Sequence, residues 1–260
     1  MTALLYGLVL AGGASRRMGQ DKAALPYGGR PQLARAFDLL GRHVRRCFVS
    51  IRPDQGHDPL RASYPCIVDR KGMGEKLDGG PMLGVLSAHA AYPDVAWLVV
   101  ACDLPMLDDR TLATLVDERN ADMDATAYLS EGDGLPEPLC TIWEPAMLAS
   151  LQEHAACRKI RLRQMLASSP VRFLAPPGTG ALENVNSPDE RDRVLKAPCA
   201  LWTGSRMLNI ELRYCARLQD AVARACNTRD GSPGACRYIR DEIRRHIPIW
   251  KNGRYVNGVT

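Results

Sequence analysis

Eight consecutive apolar residues, Val95 to Cys102, end on an aspartate, Asp103. A run this short cannot cross a bilayer, which takes about 20 residues. Nor does it alternate, so its centre, Ala96–Ala101, reads as a strand covered on both faces. Around it the sequence switches between strand and helix patterns. Strands are expected at Tyr6–Ala11, Cys47–Ile51, Ala125–Leu129 and Leu139–Trp143, and helices at Gln32–His43, Met82–Ala91, Thr111–Arg119 and Pro145–His154. In the first helix Leu33, Ala36, Phe37 and Leu40 recur at helical spacing, and the last begins on a proline. Strands separated by helices of this length predict an α/β fold with a parallel or mixed sheet covered on both sides. In such sheets ligands bind beyond the carboxyl ends of the strands, where the strand order reverses.

The chain has 260 residues, 46% hydrophobic and 24% charged, which excludes a disordered or fibrous protein. No positive charge precedes the apolar start, so a secretory signal is not expected. Charge divides the chain. Residues 1–196 carry 23 Lys+Arg against 24 Asp+Glu, and residues 197–260 carry 11 against 5, within totals of 34 and 29. The expected organisation is a main domain over 1–196 and a basic extension over 197–260. The basic extension reads first as a solvated helix face. Nucleic-acid binding would call for aromatics interleaved with the charges, and of those in the extension only Tyr238, Trp250 and Tyr255 could serve. Neither a nucleic acid nor a membrane is an expected partner. Nine cysteines without a C-x-x-C pair, and five histidines without ligand spacing, support no disulfide framework or zinc site. A reducing, cytoplasmic setting fits them.

Chemistry gathers at the strand ends. The first strand runs into Gly12-Gly13-Ala14-Ser15-Arg16-Arg17 and then Asp21-Lys22. Paired glycines let backbone N–H groups face a ligand, and Arg with Lys suits a polyanion, although Gly-Gly after a strand is also an ordinary tight turn. Asp103 is the best metal candidate, because Mg²⁺ takes one or two carboxylates plus phosphate oxygens. The competing reading makes Asp103 a cap for the helix near Asp108. Gly79-Gly80-Pro81-Met82-Leu83-Gly84 suggests close approach of backbone to a ligand before a helix N-terminus. Asp69, after Cys66-Ile67-Val68, is a second strand-end carboxylate. Asn184 and Asn186 read as site donors or, with equal weight, Asn186 or Ser187 is simply the cap of a helix begun by Pro188.

Together these segments resemble the molybdenum cofactor guanylyltransferases, the MobA-type nucleotidyltransferases. The matching pieces are Leu10-Ala11-Gly12-Gly13 with Ser15, Arg17-Met18-Gly19 and Asp21-Lys22; Gly80-Pro81-Met82-Leu83-Gly84; Cys102-Asp103-Leu104-Pro105; Glu137-Pro138-Leu139-Cys140; and Asn184-Val185-Asn186-Ser187-Pro188. They occur in the family's order across roughly residues 4–196. The resemblance implies a Rossmann-like three-layer α/β/α fold, with GTP bound by Leu10, Ala11 and Gly12 and its phosphates by Lys22. It implies that Asp69 helps hold the nucleoside, that Asp103 carries Mg²⁺, and that Arg17 and Lys22 neutralise phosphate charge. Gly13, Ser15, Gly80, Asn184 and Asn186 complete the expected binding set. The terminal phosphate of molybdopterin would attack the α-phosphorus of GTP and expel pyrophosphate. Where the family has an Asn-containing segment after its second strand, this chain reads Ser50-Ile51-Arg52-Pro53-Asp54. A cytidylyl or sugar-phosphate nucleotidyltransferase, and a nucleotide-binding protein without turnover, are the alternatives.

The extension carries fragmentary resemblances. Met207 to Leu218 is similar to the start of the small, ubiquitin-like subunit of molybdopterin synthase. Ala235 to Ile239, running to Lys251, is similar to the end of its large catalytic subunit. The small subunit's Gly-Gly end and most of the large subunit are missing, so the resemblance implies a packing or docking remnant rather than a synthase. Ala235–His246 reads as an amphipathic helix. Expected protein partners are other molybdenum cofactor biosynthesis proteins or apo-molybdoenzymes.

Overall fold

The structure, a computed structural model, describes residues 2–13, 18–70, 80–157, 161–177, 180–196, 249–251 and 254–256. Its centre is β1 (Leu5–Leu10), whose four inner residues are all buried. A Cβ on Gly7 would lie 2.8 Å from Leu40 Cγ, so α1 (Gln32–Gly41) lies directly on this strand. Between them a short hairpin pairs β2 (Pro26–Tyr27) with β3 (Arg30–Pro31). Gly28 and Gly29 turn it with φ of 57° and 77°, the two positive values that a tight hairpin needs.

Seven strands form the main sheet among the described residues. In spatial order they are β5 (Cys66–Val68), β4 (Cys47–Ile51), β1, β6 (Ala96–Ala101), β8 (Pro136–Trp143), β7 (Ala125–Leu129) and β9 (Val171–Leu174). All neighbours are parallel except β8, which runs antiparallel to both β6 and β7. The chain leaves β1 for β4 on one side and returns to β6 on the other. The strand order therefore reverses between β1 and β6, whose ends lie together at Leu10 and Ala101.

Helices cover both faces. On one side α2 (Pro81–Ala91), α4 (Pro145–Cys157) and α5 (Leu162–Ala167) bury Val85, Leu86, Leu148, Leu151 and Leu166 against Leu8, Trp97 and Val99. On the other, α1 and α3 (Asp109–Asp117) bury Leu33, Leu40, Leu112 and Leu115 against Val9, Leu98 and Val100. This is the three-layer α/β/α, Rossmann-like arrangement. A third, smaller cluster of Met18, Leu25, Tyr27 and Val185 packs with Val194 of α6 (Pro188–Lys196). Among the described residues no helix is long and apolar enough to cross a membrane.

Several boundaries differ from the sequence expectation. His43 lies outside α1, because the helix tightens after Gly41 into a turn in which its N–H reaches back to Leu40. β8 starts at Pro136 rather than Leu139, since a register shift between Ala127 and Leu129 lets Leu129 pair with Pro136. α3 begins at Asp109, two residues before the expected Thr111, capped by the Asp108 carboxylate on Thr111 N–H at 2.8 Å. In the extension, β10 (Ile249–Lys251) pairs antiparallel with β11 (Arg254–Val256). The expected helix at Ala235–His246 lies outside the described residues.

Gly84 sets how closely α2 sits on the sheet. A Cβ there would stand 2.4 Å from Ser50 Oγ and 2.9 Å from Leu10 Cδ2. Gly84→Ala is expected to cost about 1–3 kcal/mol by overpacking. Gly41→Ala has open space at the end of α1 and should be neutral or slightly stabilising. Urea unfolding of both variants checks the difference.

Candidate active site

β6 is buried along all six residues and delivers Asp103 two positions past its end. A carboxylate at the mouth of such a strand needs a cation or donors. Lys22 supplies the cation. It begins a 3-10 turn, Lys22–Ala24, capped by Asp21, whose carboxylate accepts from Ala23 N–H at 3.1 Å. Its Nζ donates to Asp103 Oδ2 at 3.1 Å and to Asn186 Oδ1 at 2.6 Å. Both partners of the ion pair are about one-fifth exposed, so the pair is screened less than a surface one. Asp103 Oδ1 is buried and has no hydrogen-bond partner among the described residues.

Backbone links lock this arrangement. The Asp103 carbonyl accepts from Val185 N–H at 2.9 Å, which ties in the segment bearing the half-buried Asn184 and Asn186. The equally weighted reading of Asn186 resolves here: its side chain meets Lys22, while Ser187 caps α6. Ser187 Oγ accepts from Glu190 N–H, and the Glu190 carboxylate accepts from the N–H groups of Asn186 and Ser187. Asp103 is not a helix cap, since Asp108 holds that place. Cys102 beside it is chemically quiet, its thiol pushed up to about 12 by burial, with the neighbouring Asp103 charge adding to the effect.

A second lobe lies at the ends of β1, β4 and β5. Ala11 N–H donates to Ser50 carbonyl at 3.1 Å, and Asp69 N–H to Ile51 carbonyl at 2.8 Å. A Cβ on Gly12 would lie 3.4 Å from Arg52 Cγ and 3.5 Å from Asp69 Oδ2, ordinary contact distances, so Gly12 lies beside both side chains without glycine being required by them. Gly13 has nothing within 4 Å of that position. Asp69 is 7% exposed and accepts from Ser50 Oγ at 2.9 Å. Burial raises its pKa, against the opposing pull of the Ser50 hydrogen bond and the Arg52 charge. Gly80 precedes α2 at φ 93° and ψ −172°, a conformation essentially restricted to glycine. Ser15 and Arg17 lie outside the described residues.

The site also contains groups that sequence reading missed. Arg61, 1% exposed, donates from Nη2 to the Ala11 carbonyl at 2.9 Å and grips Asp21 through both terminal nitrogens. Gln32, buried in α1, donates from Nε2 to the Leu104 carbonyl, and Arg35 donates to the Pro105 carbonyl. Arg52 Nη1 donates to the Gly12 carbonyl at 2.5 Å. Local spacing signals pairs such as Asp58 with Arg61 and Arg52 with Asp54, but not the distant carbonyls that these side chains reach. Glu137, buried near the start of β8, has its pKa raised by burial, with Arg163 opposing from 3.6 Å.

Residues 7–172 match the family described as the MobA-like NTP transferase domain, more than half of the chain. The chain belongs to this family. Membership makes it a nucleotidyltransferase. It is 36% identical over 193 residues to the molybdenum cofactor biosynthesis bifunctional protein of Synechocystis sp., covering 73% of this chain and 53% of that protein. The chain thus spans about half the length of that relative. It is 27% identical over 191 residues to a probable molybdenum cofactor guanylyltransferase of Bacillus subtilis, covering 70% of this chain and 90% of the relative. Among solved structures it shares its fold with molybdopterin-guanine dinucleotide biosynthesis protein A of Archaeoglobus fulgidus (TM-score 0.59, 19% identity, covering 72% of this chain and 95% of the other).

Asp69 makes folding stability pH-dependent in a defined direction. Its folded pKa lies above the ordinary 3.8, so its contribution to stability is full below that value and is lost as pH rises through the raised one. Asp69→Asn keeps an acceptor for Ser50 without the charge. Its melting temperature relative to wild type is expected to climb as pH goes from acid to neutral. A difference that stays flat across that range would uncouple Asp69 ionisation from folding.

Proposed function

We propose that this chain transfers GMP from GTP to the terminal phosphate of molybdopterin, releasing pyrophosphate, in a reaction that uses Mg²⁺. The observation that carries the reading is the convergence of Lys22 Nζ, Asp103 and Asn186 at the reversal point between β1 and β6, with one buried oxygen of Asp103 unbonded. The curated relatives' names supply the nucleotide and the acceptor.

The residues suit the metal. Asp103 Oδ1 and the Asn186 amide oxygen are hard donors, as Mg²⁺ prefers. Among the described residues no group of three or more acidic, His or Cys side chains could hold an ion alone. That fits a metal completing its shell with phosphate oxygens and water. When bound, Mg²⁺ would neutralise charge on the triphosphate and on the leaving pyrophosphate. Lys22 then binds phosphate oxygens, with Arg17 and Ser15 assigned to the same loop. Leu10, Ala11, Gly12 and Gly13 line the nucleotide, Asp69 holds the nucleoside, and Gly80 admits it close to the start of α2. An acceptor phosphate oxygen attacks the α-phosphorus as the bond to the β-phosphate oxygen breaks. That nucleophile is ionised at neutral pH, so no general base is needed, and positioning with charge neutralisation carries the rate.

We assign residues 1–196 to this transferase and residues 197–260 to a separate basic extension. Other cofactor-pathway proteins or apo-molybdoenzymes are the proposed recipients of the product.

The test mixes protein, Mg²⁺ and molybdopterin with GTP or CTP and measures pyrophosphate. Release is expected with GTP, and Asp103→Asn should lower it by about 10²–10³-fold. Saturating GTP with Mg²⁺ should also stabilise the fold, by about 2.7 kcal/mol at 100 times Kd. Release from CTP alone would replace guanine with cytosine, and full activity in Asp103→Asn would sink the metal assignment.

A further inference from the structure

We infer that Arg61 is a positioning residue for triphosphate binding: it fixes the Lys22 turn against the end of β1 without touching the nucleotide itself. The inference rests on the nucleotidyl-transfer reading of the site.

Arg61 belongs to the connection between β4 and β5, yet its side chain crosses to two other segments. Nη1 donates to Asp21 Oδ2 at 2.6 Å and to Asp58; Nη2 donates to Asp21 Oδ1 at 3.0 Å and to the Ala11 carbonyl at 2.9 Å. Ala11 is the residue before Gly12, and Asp21 the residue before Lys22. One planar guanidinium therefore sets the spacing between the glycine end of β1 and the lysine that meets Asp103. The two-pronged grip on Asp21 needs the fork of arginine; an ammonium cannot reproduce it.

The grip reaches Lys22 through Asp21. The same carboxylate oxygen that accepts from Arg61 Nη2 also caps the 3-10 turn by accepting from Ala23 N–H. Moving Asp21 moves the start of that turn and with it the lysine. Arg61 is itself anchored at its base. Its N–H donates to the Asp58 carbonyl, and its own carbonyl accepts from Tyr64 N–H and from Cys66 Sγ. The side chain is 1% exposed, and a buried guanidinium is kept only where carboxylates neutralise it. Here two do, from Asp21 and Asp58. The fold thus holds a buried charge at the one place where it links both phosphate-facing segments.

Inorganic tripolyphosphate with Mg²⁺ isolates this role, because it lacks the base and gives the same answer whichever nucleotide is used. Its Kd is measured by calorimetry, alongside the KM for GTP and for molybdopterin, in wild type, Arg61→Lys and Asp21→Asn. The second variant keeps an acceptor for Ala23 N–H and serves if Arg61→Lys fails to fold. The expected result is tripolyphosphate binding and KM for GTP weakened by about tenfold or more, with the KM for molybdopterin unchanged. Folded variants that bind tripolyphosphate as wild type does, or that lose only melting temperature and active fraction, overturn the inference. A loss confined to GTP also overturns it. Wild type that binds neither GTP nor tripolyphosphate overturns the nucleotidyl reading as well, which separates the two failures.

Discussion

A carboxylate at the end of a fully buried strand has to be answered by the rest of the fold. β6 brings Asp103 to the mouth of the sheet, and Lys22, 81 residues away in sequence, answers it. Few of the links that hold the two in place are local. Val185 N–H bonds the Asp103 carbonyl, Gln32 bonds the Leu104 carbonyl through its side chain, and the Gln32 N–H bonds the Leu25 carbonyl at the end of the Lys22 turn. α1 therefore spans both halves of the ion pair. The small cluster of Met18, Leu25, Tyr27 and Val185 does the same from the outside, packing the hairpin and α6 around the turn. Losing any of these links would leave a charge near the interior with its partner displaced, and such groups are expensive to strand.

Three glycines around the site differ in what the structure asks of them. Gly80 needs a backbone conformation closed to other residues. A Cβ on Gly12 would meet Arg52 and Asp69 only at ordinary contact distance, so packing there does not demand glycine. Gly84 brings α2 down onto Ser50 and Leu10, and Ser50 in turn holds Asp69. In the sequence, Gly80 and Gly84 form one motif that reads as ligand approach. In the structure, only the first of the pair sits at the helix start; the second is a packing residue that reaches Asp69 through the Ser50 hydroxyl.

The layout was legible because its signals are local. Apolar runs without alternation marked β4, β6 and β7 to the residue, and Asp103 stood out as the charge that ends such a run. The hairpin between the Lys22–Ala24 turn and α1, with its Gly28-Gly29, and the short β9 are not singled out by the sequence. Two-residue strands and a four-residue strand carry too little periodicity to separate from loop. Lys22 is legible as a cation of the glycine loop suited to a polyanion, but nothing near it in sequence points to Asp103 as its partner. Arg61, Gln32 and Arg52 were missed for a related reason. Each acts on a backbone carbonyl or carboxylate many residues away, and a bond to a carbonyl leaves no trace in the identity of the residue that owns it.

The cations at this end of the sheet are already paired before any substrate is considered: Lys22 with Asp103, Arg61 with Asp21 and Asp58, Arg52 with Asp54. The crevice is thus not a bare positive patch, and a polyanion would bind by exchanging partners. Under the proposed reaction, a triphosphate arriving with a divalent ion offers Asp103 a cation and Lys22 an anion together. Desolvation of both groups has largely been met in folding, so the exchange costs less than charging an empty pocket would. Arg61 takes no part in that exchange. Its side chain is sealed from solvent and its two carboxylate partners, though part-exposed, belong to the fold itself, so it keeps the frame fixed while the Lys22–Asp103 pair is opened.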